Sequence, residues 1–189
     1  MASNGPGTSA ASTTENLVPP NVNDDKLIKC QPGDNESDII EVPFKQIKQS
    51  HTFFNMFRDL GCEVDENFVF PMPAVKPETF QKVVEWTANH IGVPDPEVKE
   101  DPSTRERIWF TLNDFENKFF DVPVDIIAEL LTAANYLDIK HLYLYGCQKL
   151  AALIKDKTPE EVRELLGLED DLTPEEKEEI KKQNVWCNY

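Results

Sequence analysis

The chain is short of positive charge: 19 Lys+Arg stand against 35 Asp+Glu among 189 residues, a formal net charge of −16 and a pI near 4.5. A chain so acidic repels a phosphate backbone, which argues against nucleic acid as a partner. Glycine is scarce as well. Seven scattered glycines build neither GxGxxG nor GxxxxGK[ST], which cluster glycines at a strand-to-helix turn so that backbone amides can approach phosphate; nucleotide chemistry is not expected. No stretch approaches the roughly 18 uninterrupted apolar residues that could cross a bilayer. Met1 to Pro20 has neither the basic start nor the apolar run of a secretory signal. The expectation is a soluble protein of the cytoplasm or nucleus, without a membrane partner.

Cysteine is sparse and dispersed. Cys30, Cys62, Cys147 and Cys187 show no CxxC spacing, and His51, His90 and His141 form no HExxH or Cys/His cluster, so neither a metal nor another cofactor is expected. Without a secretion signal the thiols are expected to be reduced and mostly buried. Catalytic constellations are missing too: there is no GxSxG serine, no histidine spaced to activate Cys147 or Cys187, and the carboxylates fall in helix first turns and loops. No catalytic residue is assigned, and an enzyme is not expected.

What the chain does have is apolar mass. Forty per cent of its residues are apolar, with eleven Phe and three Trp, enough for one domain with an appendage or for two small ones. Residues 1–25 are rich in Ser, Thr, Asn, Gly and Pro and read as a tail that cannot offset the entropy of being ordered. Lys26 to Cys30 and Ile39 to Val42, parted by the turn formers Pro32-Gly33-Asp34-Asn35, read as a β-hairpin. Phe44, Ile47, Phe53, Phe54 and Phe57 predict two short helices, with Ser50 capping the second and Gly61 ending it. Phe68 to Pro73 suits an edge strand that tolerates proline. Pro77 opens a helix with Phe80, Val83, Val84 and Thr87 on one face.

Residues 92–107 carry three prolines among charged residues and read as a surface loop without a core role; Ile108 to Phe120 is a strand or irregular segment leading into a short helix. Ile127, Leu130, Leu131 and Ala134 then share a helix face, Asn135 to Asp138 looks like a break, and Lys140 to Lys155 resumes as a helix. This αα-hairpin carries two stripes on its second helix: Leu142, Gly146, Leu150 and Leu153, and beside it Tyr143, Cys147, Leu150 and Ile154. Two stripes imply two neighbours. After them, Thr158-Pro159-Glu160-Glu161 and Thr173-Pro174-Glu175-Glu176 each supply an N-cap threonine, a proline at N1 and a glutamate at N3. The helices they start are poor in apolar residues, so a partner helix, or the chain's own core, could cover the second stripe.

Three segments, Ala133-Ala134-Asn135-Tyr136-Leu137-Asp138-Ile139-Lys140, Lys157-Thr158-Pro159-Glu160-Glu161-Val162-Arg163 and Asn184-Val185-Trp186-Cys187, with Lys48-Gln49-Ser50 and Asp59-Leu60-Gly61 earlier, resemble the S-phase-kinase-associated adaptor (Skp) family. The resemblance runs from about Lys26 to the C-terminus. It implies an α/β fold, a BTB/POZ-like domain over residues 26–155 with the acidic Pro-rich loop at 92–107, followed by C-terminal dimerisation and F-box-binding helices over 156–189. It implies a non-catalytic adaptor that bridges a cullin and F-box proteins in an SCF-type ubiquitin ligase. The F-box surface maps onto Ile127, Leu131, Tyr143, Cys147, Leu150, Ile154 and Trp186, and the cullin contact onto Asn135 and Tyr136. A homodimer in the absence of an F-box stays open, and the alternative is a self-associating BTB scaffold or elongin-type subunit, although elongin-type relatives generally stop before the two C-terminal helices. Where the family commonly reads Leu-Leu-Asp, a β-branched residue or leucine, then Thr-Cys, this chain has Leu142 to Cys147 with Tyr143, Leu144 and Gly146, and His141 replaces a glycine or asparagine. These departures imply a divergent paralogue with an altered partner surface.

Overall fold

A computed structural model describes residues 22–35, 37–60 and 67–185. Strand β1 (Leu27–Pro32) pairs antiparallel with β2 (Ile40–Pro43) and parallel with β3 (Val69–Met72), giving a three-stranded sheet in the order β2-β1-β3. The hairpin expected from sequence is present. β3 lies at an edge, where Pro71 costs the sheet no ladder bond on its inner side. Helices α1 (Phe44–Ile47) and α2 (His51–Leu60) follow β2, and α3 (Pro77–Asn89) follows β3. The expected helix stop at Gly61 lies outside the described residues.

Residues 22–25, which the sequence assigns to the tail, are packed here: Val22 rests against the core, Asp24 pairs with Lys48 at 2.6 Å and Asp25 with Lys45 at 2.7 Å. Lys45 holds the Asp25 carboxyl below its ordinary range.

The core has two aromatic centres. Phe53 is surrounded by Phe44, Phe57, Phe68 and Phe70, which joins α1 and α2 to the sheet. Trp86 on α3 is fully buried and contacts Phe119 and Phe120 at centroid distances of 5.0 and 5.3 Å. The sequence reading placed Phe80, Val83 and Thr87 on the buried face of α3 correctly but omitted Trp86, which lies between Val83 and Thr87 on the same side. Burial pushes the Cys30 thiol, at the centre of the sheet, up to about 12; it is an inert core residue.

Residues 92–107 are more structured than a plain surface loop. They include the two-stranded ribbon β4 (Lys99–Glu100) and β5 (Arg107–Ile108), and the chain beyond it passes into α4 (Asp114–Phe119), started by an Asn113/Glu116 capping box. Helix α5 (Val124–Leu137) packs across α3 and forms a hairpin with α6 (Lys140–Ile154), and α7 (Pro159–Leu166) and α8 (Pro174–Gln183) follow. Among the described residues, no helix is long and apolar enough to cross a membrane.

Ser50 joins the two halves of the core. Its hydroxyl accepts from the Phe53 amide at 3.1 Å, capping α2 as expected, and donates to the Leu137 carbonyl at the end of α5 at 2.6 Å. Both bonds are buried, so Ser50→Ala should lower stability by about 2 kcal/mol, roughly 1 kcal/mol for each bond, with urea-unfolding midpoints as the measurement.

Candidate partner-binding surface

The surface is built on the αα-hairpin. On α5, Ile127, Leu130, Ala134 and Leu137 are buried in the chain's own packing. Ile127 is therefore no open contact residue; it supports the surface from beneath. The expected break at 135–138 is shorter than sequence suggests: α5 runs through Leu137, and Asp138 ends it in the left-handed region at φ 50°. The Asp138 amide donates to the Asn135 carbonyl at 3.2 Å and the Ile139 amide to Ala134 at 2.9 Å, which turns the chain back within two residues. Asn135 and Tyr136 thus occupy the last turn of α5 rather than a loop. Asn135 is exposed and Tyr136 half-buried, its carbonyl accepting from the Thr52 hydroxyl at 2.8 Å.

Helix α6 lies close to α5 because of Gly146. A Cβ at this position would stand 2.8 Å from Leu131 Cδ2 and 3.5 Å from Phe120 Cε1, so the glycine that weakens the helix is also what lets it approach. With Leu142 and Gly146 turned inward, the neighbouring stripe turns outward. Tyr143 is 40% exposed and Ile154 38%, while Leu131, Cys147 and Leu150 are half-buried beside them. Cys147, one turn along, raises the Tyr143 phenol above its ordinary value through charge and a hydrogen bond.

Helices α7 and α8 stand on local chemistry. Thr158 accepts from the Glu161 amide and Glu161 from the Thr158 amide, at 3.3 and 2.8 Å; Thr173 and Glu176 repeat the device. These backbone bonds hold both glutamates below their ordinary range. Gly167, at φ +64°, ends α7, and Asp170 in the connection receives Lys177 from α8 and lies 3.9 Å from Arg163 on α7. Neither helix buries a residue, and Leu166, Leu168, Ile180 and Val185 are exposed. Trp186, expected on this surface, lies outside the described residues.

Sequence reasoning missed what surrounds Asn135. A groove of about 430 Å³ runs between Asp95-Pro96 and the α5–α6 corner, with Asn135, Asp138, Tyr143 and Leu144 on its walls. Asn135 and Tyr143, assigned to different partners, border the same groove. Its other wall belongs to the 92–107 segment, whose composition carries no signal of that role. Among the described residues, no group of three or more His, Cys, Asp or Glu side chains could hold a metal ion.

An α/β domain with an uncovered helical stripe and two appended exposed helices defines a protein-binding module. A model of the Skp1 family, dimerisation domain, matches residues 140–187, from the start of α6 onward. The chain is 38% identical over 153 residues to the S-phase kinase-associated protein 1 homolog of Tetrahymena thermophila, covering 80% of this chain and 89% of that protein. It is 36% identical to the E3 ubiquitin ligase complex SCF subunit sconC of Arthroderma otae, over 80% of this chain and 90% of the relative. Against a Skp1-related protein of Caenorhabditis elegans it is 36% identical over 166 residues, 86% of this chain and 92% of the other. The chain belongs to the Skp1 family, and the α/β domain with C-terminal helices expected from the resemblance is the fold it has.

The close approach at Gly146 gives a direct test. Gly146→Ala should gain no stability, although alanine is intrinsically better in a helix by about 1 kcal/mol, because its methyl must displace Leu131. Gly146→Val, which adds two branches at the same point, should lose about 2 kcal/mol in urea unfolding.

Proposed function

We propose that this chain is a non-catalytic adaptor subunit of an SCF-type cullin-RING ubiquitin ligase, holding an F-box substrate receptor against a cullin. The observation that carries the reading is the outer stripe of α6: an apolar strip on an acidic protein, beside two helices that bury none of their residues. Such a strip gains stability only when a partner helix lies on it. Leu131, Tyr143, Cys147, Leu150 and Ile154 form the F-box side, supported from within by Ile127, and Trp186 joins them by resemblance. Asn135 and Tyr136 form the cullin side, at the end of α5. The same uncovered face is available to a second copy when no F-box is present. The cytoplasm or nucleus, where ubiquitin ligases of this kind work, is the proposed location.

A self-associating BTB scaffold or an elongin-type subunit is the second reading, and the presence of α7 and α8 favours the adaptor. Light scattering coupled to gel filtration, on the chain mixed with a cullin N-terminal domain and an F-box domain, separates the two. A 1:1:1 complex supports the adaptor. A dimer that binds neither partner supports the scaffold.

Tyr143→Asp would place an unpaired charge in a desolvated contact and should weaken F-box binding by about 3 kcal/mol or more in calorimetry, with the fold intact by circular dichroism. Asn135→Lys combined with Tyr136→Lys should abolish cullin binding and leave F-box binding mostly in place; loss of both would indicate misfolding instead.

A further inference from the structure

Beneath the groove lies a buried polar cluster that neither partner surface uses. His90, the C-cap of α3, directs Nδ1 at the Trp86 carbonyl at 2.9 Å and Nε2 at Glu116 Oε1 at 3.1 Å. A carbonyl only accepts, so Nδ1 carries a proton, and the contact with Glu116 needs a second proton on either Nε2 or the carboxyl. The two side chains therefore share one hydrogen-bonding proton. The other Glu116 oxygen accepts from the Asn113 amide at 2.8 Å. The His141 ring lies 5.6 Å from that of His90. Its Nε2 donates to the Val93 carbonyl at 3.0 Å, while its Nδ1 is buried with no partner.

We propose that His90, Glu116 and His141 form a proton-sensitive latch that pins the 91–98 segment to α6, closed while His141 is neutral and released when it takes up a proton. The charged and titratable groups around it come from every packed element. His90 on α3 and Glu116 on α4 are already satisfied by each other. Tyr145 on α6 sits near Glu116 and is neutral. Asp95, in the segment itself, lies 3.7 Å from His141 Nε2 but is partly exposed and is also within 3.9 Å of Lys140. A proton on Nδ1 would find no acceptor and would leave an unpaired charged donor in a buried site. Burial first, and His90 second, hold His141 below its ordinary value of 6.5, against the opposing pull of the Asp95 and Glu116 carboxylates.

The sign follows. A histidine whose pKa is lowered by folding contributes stability that is fully present above its unfolded value and is lost as pH falls through about 6.5 toward the lowered one, with the opening equilibrium rising by up to about tenfold per pH unit. Because Asp95 and Pro96 wall the groove opposite Asn135 and Tyr143, release would reshape that groove. This consequence for a partner rests on the adaptor reading; the latch itself does not.

Hydrogen exchange on the full chain, compared at pH 7.5 and 5.5 after correction for intrinsic rates, tests it. The Val93 amide, which donates to the His90 carbonyl, should lose protection by up to about tenfold while the amides of β1 hold theirs. His141→Gln, whose amide reaches the Nε2 position, can still donate to the Val93 carbonyl but cannot titrate, so it should show no such loss. Unchanged protection in the wild type, or the same loss in His141→Gln, overturns the latch. Should that variant fail to fold, an NMR titration of the wild-type histidine ring protons decides: a His141 midpoint clearly below 6.5 supports the latch, and one at or above 6.5 overturns it. Absence of partner binding at either pH would count against the adaptor reading and leave the exchange result standing.

Discussion

Gly146 lies where α6 crosses Leu131 and Phe120, and the missing Cβ sets how near the two helices of the hairpin come. That spacing decides the rotation of α6. With Leu142 and Gly146 inward, Tyr143, Cys147 and Ile154 are carried to the outer side of α6, where Tyr143 and Ile154 are exposed and Cys147 is half-buried. The same hairpin receives the Ser50 hydroxyl at the Leu137 carbonyl, so the sheet-side helices and the partner-side helices meet at one corner. Asn135, Asp138 and the groove all take their positions from it.

The stability of the chain is unevenly founded. From β1 to α6 the protein rests on buried aromatic rings and on non-local pairs such as Gln148, whose amide both donates to and accepts from the backbone of Phe110. Beyond Lys155, apart from the packing of α7 on α5, the supports are caps, a terminating glycine and the Asp170 pairs, within a few residues of one another. Elements supported in this way open at low cost and in small units. They are suited to ordering against a partner, because little has to be undone first.

Much of this was legible in the residues, for a definable reason. Periodicity and caps are local signals, so the hairpin of β1 and β2, the start of α3 at Pro77, the α5–α6 pair and both Thr-Pro-Glu-Glu helices were placed from sequence. The outward stripe was visible because its spacing differs from that of the inward one. What escaped depends on distant approach. Ile127 carries the same pattern as Leu131, and only the packing separates the buried one from the half-open one. His141 reads as a departure from the family, and its meaning came from Val93 and His90, which lie 48 and 51 positions earlier in the chain. The groove escaped because one of its walls is a segment with no periodicity at all.

Among the described residues the sheet has three strands, and its parallel edge is β3, where Pro71 interrupts the row of amide donors. A fourth strand from another molecule would find a broken template there. A protein that carries an apolar stripe on its helical side is thereby guarded, at this edge, against strand-by-strand polymerisation.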